Sequence, residues 1–327
     1  PPQLTSLTVA SFEETAYQSP ARTLLTDCTK SVLAGSSSGE SIATVGYGEL
    51  LSQLSHDFRL DSSVGYPALA AGDVNGDELD DLYVCQSLGR PNLLLLQQQD
   101  GSVRNAARAW KVDWLHESRS ALLVDLDNDC DQDLAVAVDG VLVVAGNDGD
   151  HFEVRSAYPA PDDTTSLAAA DFDQDGRLDL YLCAYQDHSS LADDRRDAPA
   201  NAAGAFVYHD SRQGGRNILF RNAGNWRFED VTAATSLEVN NARHSYAASW
   251  EDYDNDGDLD LYVANDYGPN CLYRNDASEG NGSHFTEIAE SVNAQDRASG
   301  MSSGWGDYDG DGDLDLYVGN MFSSAGS

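Results

Sequence analysis

Short apolar runs recur along the chain, and each follows directly on a polar stretch. The runs are LYVCQ from Leu82, LAVAV from Leu134, LYLCAY from Leu180, LYVAN from Leu261 and LYVGN from Leu316. Ahead of them stand the nonapeptides DVNGDELDD from Asp73, DLDNDCDQD from Asp125, DFDQDGRLD from Asp171, DYDNDGDLD from Asp252 and DYDGDGDLD from Asp307. Before each nonapeptide comes a segment rich in small residues: ALAAG, ALLV, SLAAA, YAASWE and SSGWG. Runs this short, bounded by Gly, Asn and Asp, predict strands joined by a tight loop.

Two more strand-like segments follow each complete unit. They include Asn92 to Leu96, Gly140 to Val144 with His151 to Val154, and Asn217 to Phe220 with Trp226 to Val231. In the last two complete copies the wording itself repeats, NILFRN then FEDVT, and NCLYRN then FTEIA. Four short strands per repeat predict an all-β β-propeller of four-stranded blades, with the acidic loop between the first two strands of each blade. The fifth unit stops after its second strand, so the propeller is expected to be incomplete at the C-terminus.

Loop starts are 52, 46, 81 and 55 residues apart, and the 81 holds a surplus between Ala184 and Gly215. That surplus predicts a long loop insertion at about 185–215, read either as decoration or as a binding loop. Residues 65–327 thus divide into five repeats. Residues 1–64 carry no such motif and are read as a metal-free blade or as a clasp, in which Gly48 to Arg59 would complete the fifth unit.

Composition sharpens this picture. The chain has 327 residues, 19 Lys+Arg, 55 Asp+Glu and a formal net charge of -36. A nucleic-acid partner requires the opposite sign and is excluded. No apolar run reaches the length of a membrane span, so no membrane insertion is expected. The acids are concentrated, since the five nonapeptides hold 24 of the 55. Like charges packed so closely predict a bound cation. Of five cysteines, Cys85 and Cys183 fall at equivalent strand positions and read as small buried hydrophobes, with a bridge between them as the rival reading.

A hard divalent cation takes six or more oxygen ligands, which alternate residues of a tight loop can supply. Positions 1, 3, 5 and 9 give the sets Asp73, Asn75, Asp77, Asp81; Asp125, Asp127, Asp129, Asp133; Asp171, Asp173, Asp175, Asp179; Asp252, Asp254, Asp256, Asp260; and Asp307, Asp309, Asp311, Asp315. The backbone carbonyl at position 7 adds Leu79, Asp131, Arg177, Asp258 and Asp313. Up to five Ca2+ ions are expected. Position 6 requires a positive-φ turn, met by Gly176, Gly257 and Gly312 but not by Glu78 and Cys130, so weaker or distorted sites are expected at Asp73 and Asp125. An EF-hand would place Glu at position 12 between helices, whereas Val84, Val136, Leu182, Val263 and Val318 stand there.

These loops, together with NILFRNAGNWRFEDVT, SYAASWEDYDNDGDLDLYVAND, MSSGWGDYDGDGDLDLYVGNMFSSAG and YHDSRQGG, resemble the FG-GAP or VCBS-type calcium repeats of integrin α-subunit propellers. The resemblance is closer to bacterial proteins related to cartilage acidic protein, of the ASPIC type. It implies an extracellular, periplasmic or cell-surface location and an adhesion or recognition role toward a protein or carbohydrate ligand. It sets no oligomeric state.

No HExxH or P-loop occurs, and no catalytic residue is assigned. His56, His116, His151, His188, His209, His244 and His284 read as surface or turn residues, with His209 set apart by its place in the long loop. The enzymatic alternative is a calcium-dependent polysaccharide lyase or another carbohydrate-active enzyme on a propeller, for which Arg195, Arg196, His209 and Arg212 form the local cluster to test. Trp250, Trp305, Tyr253 and Tyr308 are expected to pack between blades.

Overall fold

The computed structural model describes residues 27, 29–33, 68–186, 210–277 and 283–321. Each acidic loop turns the chain back on itself, because its flanking segments pair antiparallel from the loop outward. The first sheet runs β1 (Leu69–Gly72), β2 (Asp81–Val84), β3 (Leu93–Gln97) and β4 (Val103–Asn105). The second has β5 (Ser118–Val124), β6 (Asp133–Val138), β7 (Val141–Asn147) and β8 (Phe152–Pro159), and the third β9 (Thr164–Ala170), β10 (Asp179–Ala184), β11 (Ile218–Asn222) and β12 (Phe228–Asp230). The fourth has β13 (His244–Glu251), β14 (Asp260–Asp266), β15 (Cys271–Asn275) and β16 (Phe285–Glu287), while a two-stranded fifth has β17 (Gly300–Gly306) and β18 (Asp315–Asn320). In all four complete sheets the strands lie in sequence order, the arrangement of a propeller blade. Among the described residues the fold is all-β apart from the short α1 (Thr29–Leu33). Among the described residues no helix is long and apolar enough to cross a membrane.

Local chemistry explains the hairpins. Between β6 and β7 only Asp139 and Gly140 remain, with φ of 46° and 76°, the doubly left-handed turn that matches strand twist. In the third sheet the equivalent connection is replaced by the long insertion, of which residues 187–209 lie outside those described. The same holds for the clasp expected at Gly48 to Arg59.

Cores form between successive sheets. Tyr83 and Leu94 of the first sheet pack with Leu123, Leu134 and Phe152 of the second. Leu142 and Val144 pack with Leu180 and Phe220, and Tyr181 and Leu219 with Leu261 and Tyr273. First strands adjoin in the order β1, β5, β9, β13, β17. Two contacts repeat at the same position: Trp250 meets Tyr181 edge-on at 6.1 Å, and Trp305 meets Tyr262 edge-on at 6.3 Å. Trp250, Trp305 and Tyr253 therefore lie between blades as the sequence predicts. Tyr308 departs from that expectation, being 86% exposed. The reason is positional: residue 2 of each loop packs beneath the following sheet, as Val74, Leu126 and Phe172 do, and among the described residues no sheet follows the fifth.

Cys85 and Cys183 are buried free thiols, each pushed up to about 12 by burial, which agrees with their reading as compact hydrophobes.

Candidate metal centre

All five acidic loops share one hydrogen-bond frame. The position-6 N–H donates to Oδ2 of the first Asp: Glu78 to Asp73 at 2.8 Å, Cys130 to Asp125 at 3.0 Å, Gly176 to Asp171 at 2.9 Å, Gly257 to Asp252 at 3.0 Å and Gly312 to Asp307 at 3.1 Å. The position-7 N–H donates to Oδ1 of position 5, from Leu79, Asp131, Arg177, Asp258 and Asp313 to Asp77, Asp129, Asp175, Asp256 and Asp311, at 3.0–3.1 Å. These bonds hold successive side chains toward one centre.

The two loops without glycine at position 6 keep this turn. Glu78 and Cys130 adopt φ of 67° and 76°, beside 85° for Gly176 and 97° for Gly257 and Gly312. Their backbone is thus undistorted relative to the others; what they carry is the local cost of a side chain in the left-handed region. Position 4 is left-handed in every copy as well, at Gly76, Asn128, Gln174, Asn255 and Gly310, and Gly or Asn stands there in four of the five.

Position 9 plays a second part. Oδ2 of Asp81, Asp133, Asp179, Asp260 and Asp315 accepts the N–H of residue 2 in its own loop. In the four complete sheets Oδ1 also accepts an N–H from the end of the third strand: Gln97 at 2.8 Å, Asn147 at 3.0 Å, Asn222 at 2.7 Å and Asn275 at 2.7 Å. Burial pushes the Asp133 carboxyl up to about 6 and those of Asp179 and Asp260 up to about 7, a measure of how costly these charges are to hold without a cation.

Carboxylate oxygens converge within 4.8 Å in four of the loops: Asp125, Asp127 and Asp133; Asp171, Asp173 and Asp179; Asp252, Asp254 and Asp260; and Asp307, Asp309 and Asp311. In the first loop Asn75 takes position 3, so its centre is less charged. Oδ1 of Asn75 and Oδ1 of Asp173, both at position 3, are buried with no hydrogen-bond partner, as is Oδ1 of Asp131. An oxygen left so costs about 1–3 kcal/mol, which a cation held by the same loop removes. The all-oxygen donor set fits a hard divalent ion.

The loops are also wired to one another. Asn128 of the second loop donates to the Gly176 carbonyl of the third at 2.8 Å, and Gln174 of the third donates to the Gly257 carbonyl of the fourth at 2.7 Å. The third loop has cations upon its acids. Arg221 donates to Asp173 at 2.6 Å and to Asp175 at 3.2 Å, and Arg177 pairs with Asp175.

Other sequence-singled residues fall elsewhere. Among the histidines, His244 is buried, contrary to the surface expectation. It is enclosed by Tyr185 at 4.9 Å and Tyr267 at 5.7 Å, with Ser211 Oγ 3.0 Å from Nε2, and burial lowers its pKa. His116, His151 and His284 lie at the surface or half-buried. His56, His188, His209, Arg195 and Arg196 lie outside the described residues, and Arg212 is 3.6 Å from Asp210.

Comparison with curated proteins finds no match. Solved structures similar to the chain include a lectin of Agrocybe aegerita that recognises non-reducing terminal N-acetylglucosamine, at 13% identity and a TM-score of 0.43, over 77% of this chain and 60% of the lectin. Another is the V. cholerae biofilm matrix protein Bap1, at 13% identity and a TM-score of 0.42, over 78% of this chain and 34% of that one. The chain therefore spans less than two thirds of either protein. A family model described as FG-GAP-like repeat matches residues 125–182 and 252–318, covering the second, fourth and fifth acidic loops and reaching through the third, so the chain carries FG-GAP-like repeats.

Proposed function

We propose that the chain is a calcium-binding, non-catalytic recognition scaffold that presents rigid propeller blades to a protein or carbohydrate ligand outside the cell or in the periplasm. The observation that supports it most is the convergence of carboxylate oxygens in four of the five loops, with the position-3 oxygens of Asn75 and Asp173 buried and unpartnered. Side chains at positions 1, 3, 5 and 9, with the position-7 carbonyl, would hold the ion, and calcium suits so many protein oxygens better than magnesium does. Its role is structural: it neutralises acids that otherwise repel at the junction of the first two strands. Calcium sites of extracellular modules bind at about 10⁻⁴ to 10⁻³ M, which matches a calcium-rich exterior. Recognition is assigned to loops carried by the blades, since the acidic loops are occupied in holding the fold.

Equilibrium dialysis against radioactive calcium tests this reading. It predicts binding at several sites, lowered by one in the Asp252→Ala protein, with magnesium a poor competitor; absence of saturable calcium binding would sink it. The non-catalytic part is tested by incubation with acidic polysaccharides, where release of unsaturated product contradicts it.

A further inference from the structure

Residues 210–215, DSRQGG, form a strap ahead of β11 that is laid across the chain entering β13. The Gly214 N–H donates to the Ala242 carbonyl at 3.1 Å, and Arg216 bridges Ala242 in antiparallel fashion. The strap lies against bare backbone, since a Cβ at Gly214 would overlap the Arg243 carbonyl. A Cβ at Gly268 would press on the Arg243 guanidinium at 2.8 Å. Arg243 is shut in between these glycines, at 3% exposure.

The two edges of that guanidinium are used unequally. Nη1 donates to Asp210 Oδ1 at 3.0 Å and to the Ser211 carbonyl at 3.3 Å. On the other edge Nη2 has a 3.4 Å contact with Asn240 Oδ1, and Nε is buried with no hydrogen-bond partner. The Nε–Nη2 edge carries two parallel N–H groups, the fork that matches a carboxylate.

Arg243 also lines a cavity of about 170 Å³ with Arg212, Glu238, Asn240, Asn241 and Ala242. Five of these six side chains are polar, which excludes an apolar ligand. Pockets for drug-sized ligands measure roughly 300–1,000 Å³, so this one has room for a single small unit. Its polar groups are loosely held. Arg212, with a side chain 69% exposed, stands 3.6 Å from Asp210, beyond hydrogen-bond distance. The Asn240 amide has only long contacts, 3.3 Å to Glu287 and 3.4 Å to Arg243. Glu238 takes Arg216 through Oε1. In a chain with 19 Lys+Arg against 55 Asp+Glu, two guanidiniums on one small cavity call for an anionic group, and the amide and carboxylate beside them suit hydroxyls.

We propose that this cavity binds one carboxylated sugar unit, a uronic acid residue. Its carboxylate lies on Arg212 and the Nε–Nη2 edge of Arg243, and its hydroxyls on Asn240 and Glu238. The inference rests on the recognition role proposed above and gives that role its ligand chemistry.

Glucuronate and glucose share a ring and differ at one carbon, which makes them the probes. Each is titrated into the whole chain in excess calcium, with binding followed by calorimetry and saturation-transfer NMR. Glucuronate is expected to bind saturably at millimolar concentration, and glucose and acetate about tenfold more weakly or worse. Arg212→Ala, at an exposed side chain, should weaken glucuronate by about three- to tenfold. Arg243→Lys keeps a charge for Asp210 but loses the fork, and should abolish binding in a protein whose thermal midpoint shows it folded; if it does not fold, Arg212→Ala decides alone. No saturable glucuronate binding, equal affinity for glucose or for acetate, or an unchanged affinity in Arg212→Ala would each overturn the proposal. Calcium dialysis separates it from the scaffold reading: calcium uptake without glucuronate binding defeats this inference alone, and glucuronate binding without calcium uptake defeats the calcium scaffold alone.

Discussion

The side-chain amide of Asn275, at the end of β15, donates to the carbonyl of Phe172 in the preceding acidic loop at 3.0 Å. The backbone N–H of the same Asn275 donates to Asp260 of its own loop at 2.7 Å. One residue thereby ties two metal loops together, and Asn147 and Asn222 repeat the arrangement through the Val74 and Leu126 carbonyls.

Replacing Asn275 by Ala removes the donor for the Phe172 and Leu259 carbonyls within a buried junction. Leaving such acceptors unmet predicts a loss of about 2–4 kcal/mol in chemical denaturation at fixed calcium. A loss below about 0.5 kcal/mol, the range of ordinary surface changes, would show that the tie is dispensable.

The turn at position 6 can be tested in both directions. A Cβ added at Gly257 meets no atom within 4 Å, so Gly257→Ala isolates the backbone cost at φ of 97°. It should destabilise by about 1–2 kcal/mol. Cys130→Gly should stabilise by a smaller amount, about 0.5–1 kcal/mol, because the glycine also loosens the unfolded chain. Denaturation midpoints of the two variants are expected to move in opposite directions.

Tyr262 and Tyr317 hold the same place in their repeats in opposite surroundings. Tyr262→Ser should cost about 3 kcal/mol or more by opening the core against Trp305, and Tyr317→Ser should change stability by less than about 0.5 kcal/mol. Similar losses at both sites would mean that the fifth sheet is covered in solution.

The third loop should differ from the fourth in calcium affinity. Arg177 and Arg221 neutralise Asp173 and Asp175, and a cation must compete with them. Arg221→Ala is expected to tighten calcium binding at that loop by about three- to tenfold while making the calcium-free protein less stable. Calorimetric titration of the variant reads both changes.

The blades were legible in the sequence because their loops are written in one residue type at fixed spacing, and the strands that follow could hardly be anything else. Strand ends moved by one to five residues, as with β8, which runs to Pro159 rather than Val154. The tie through Asn222 and Asn275 was visible as the last letter of NILFRN and NCLYRN, but its partner is a carbonyl in the preceding repeat. Backbone acceptors leave no mark on sequence. The arginines on Asp173 and Asp175 escaped for a related reason, since Arg221 reaches the loop across a sheet from 46 residues away. The exposure of Tyr308 and the burial of His244 depend on which neighbour is present, and a repeat motif is silent about neighbours.

The central claim is that a cation in the acidic loops holds the blades. Thermal unfolding of the whole chain with excess calcium and with excess chelator tests it most directly. When calcium stands about 100-fold above its dissociation constant, each filled site adds about 2.7 kcal/mol, so the calcium midpoint should lie well above the chelator midpoint and rise with calcium concentration. Identical midpoints under the two conditions would contradict it.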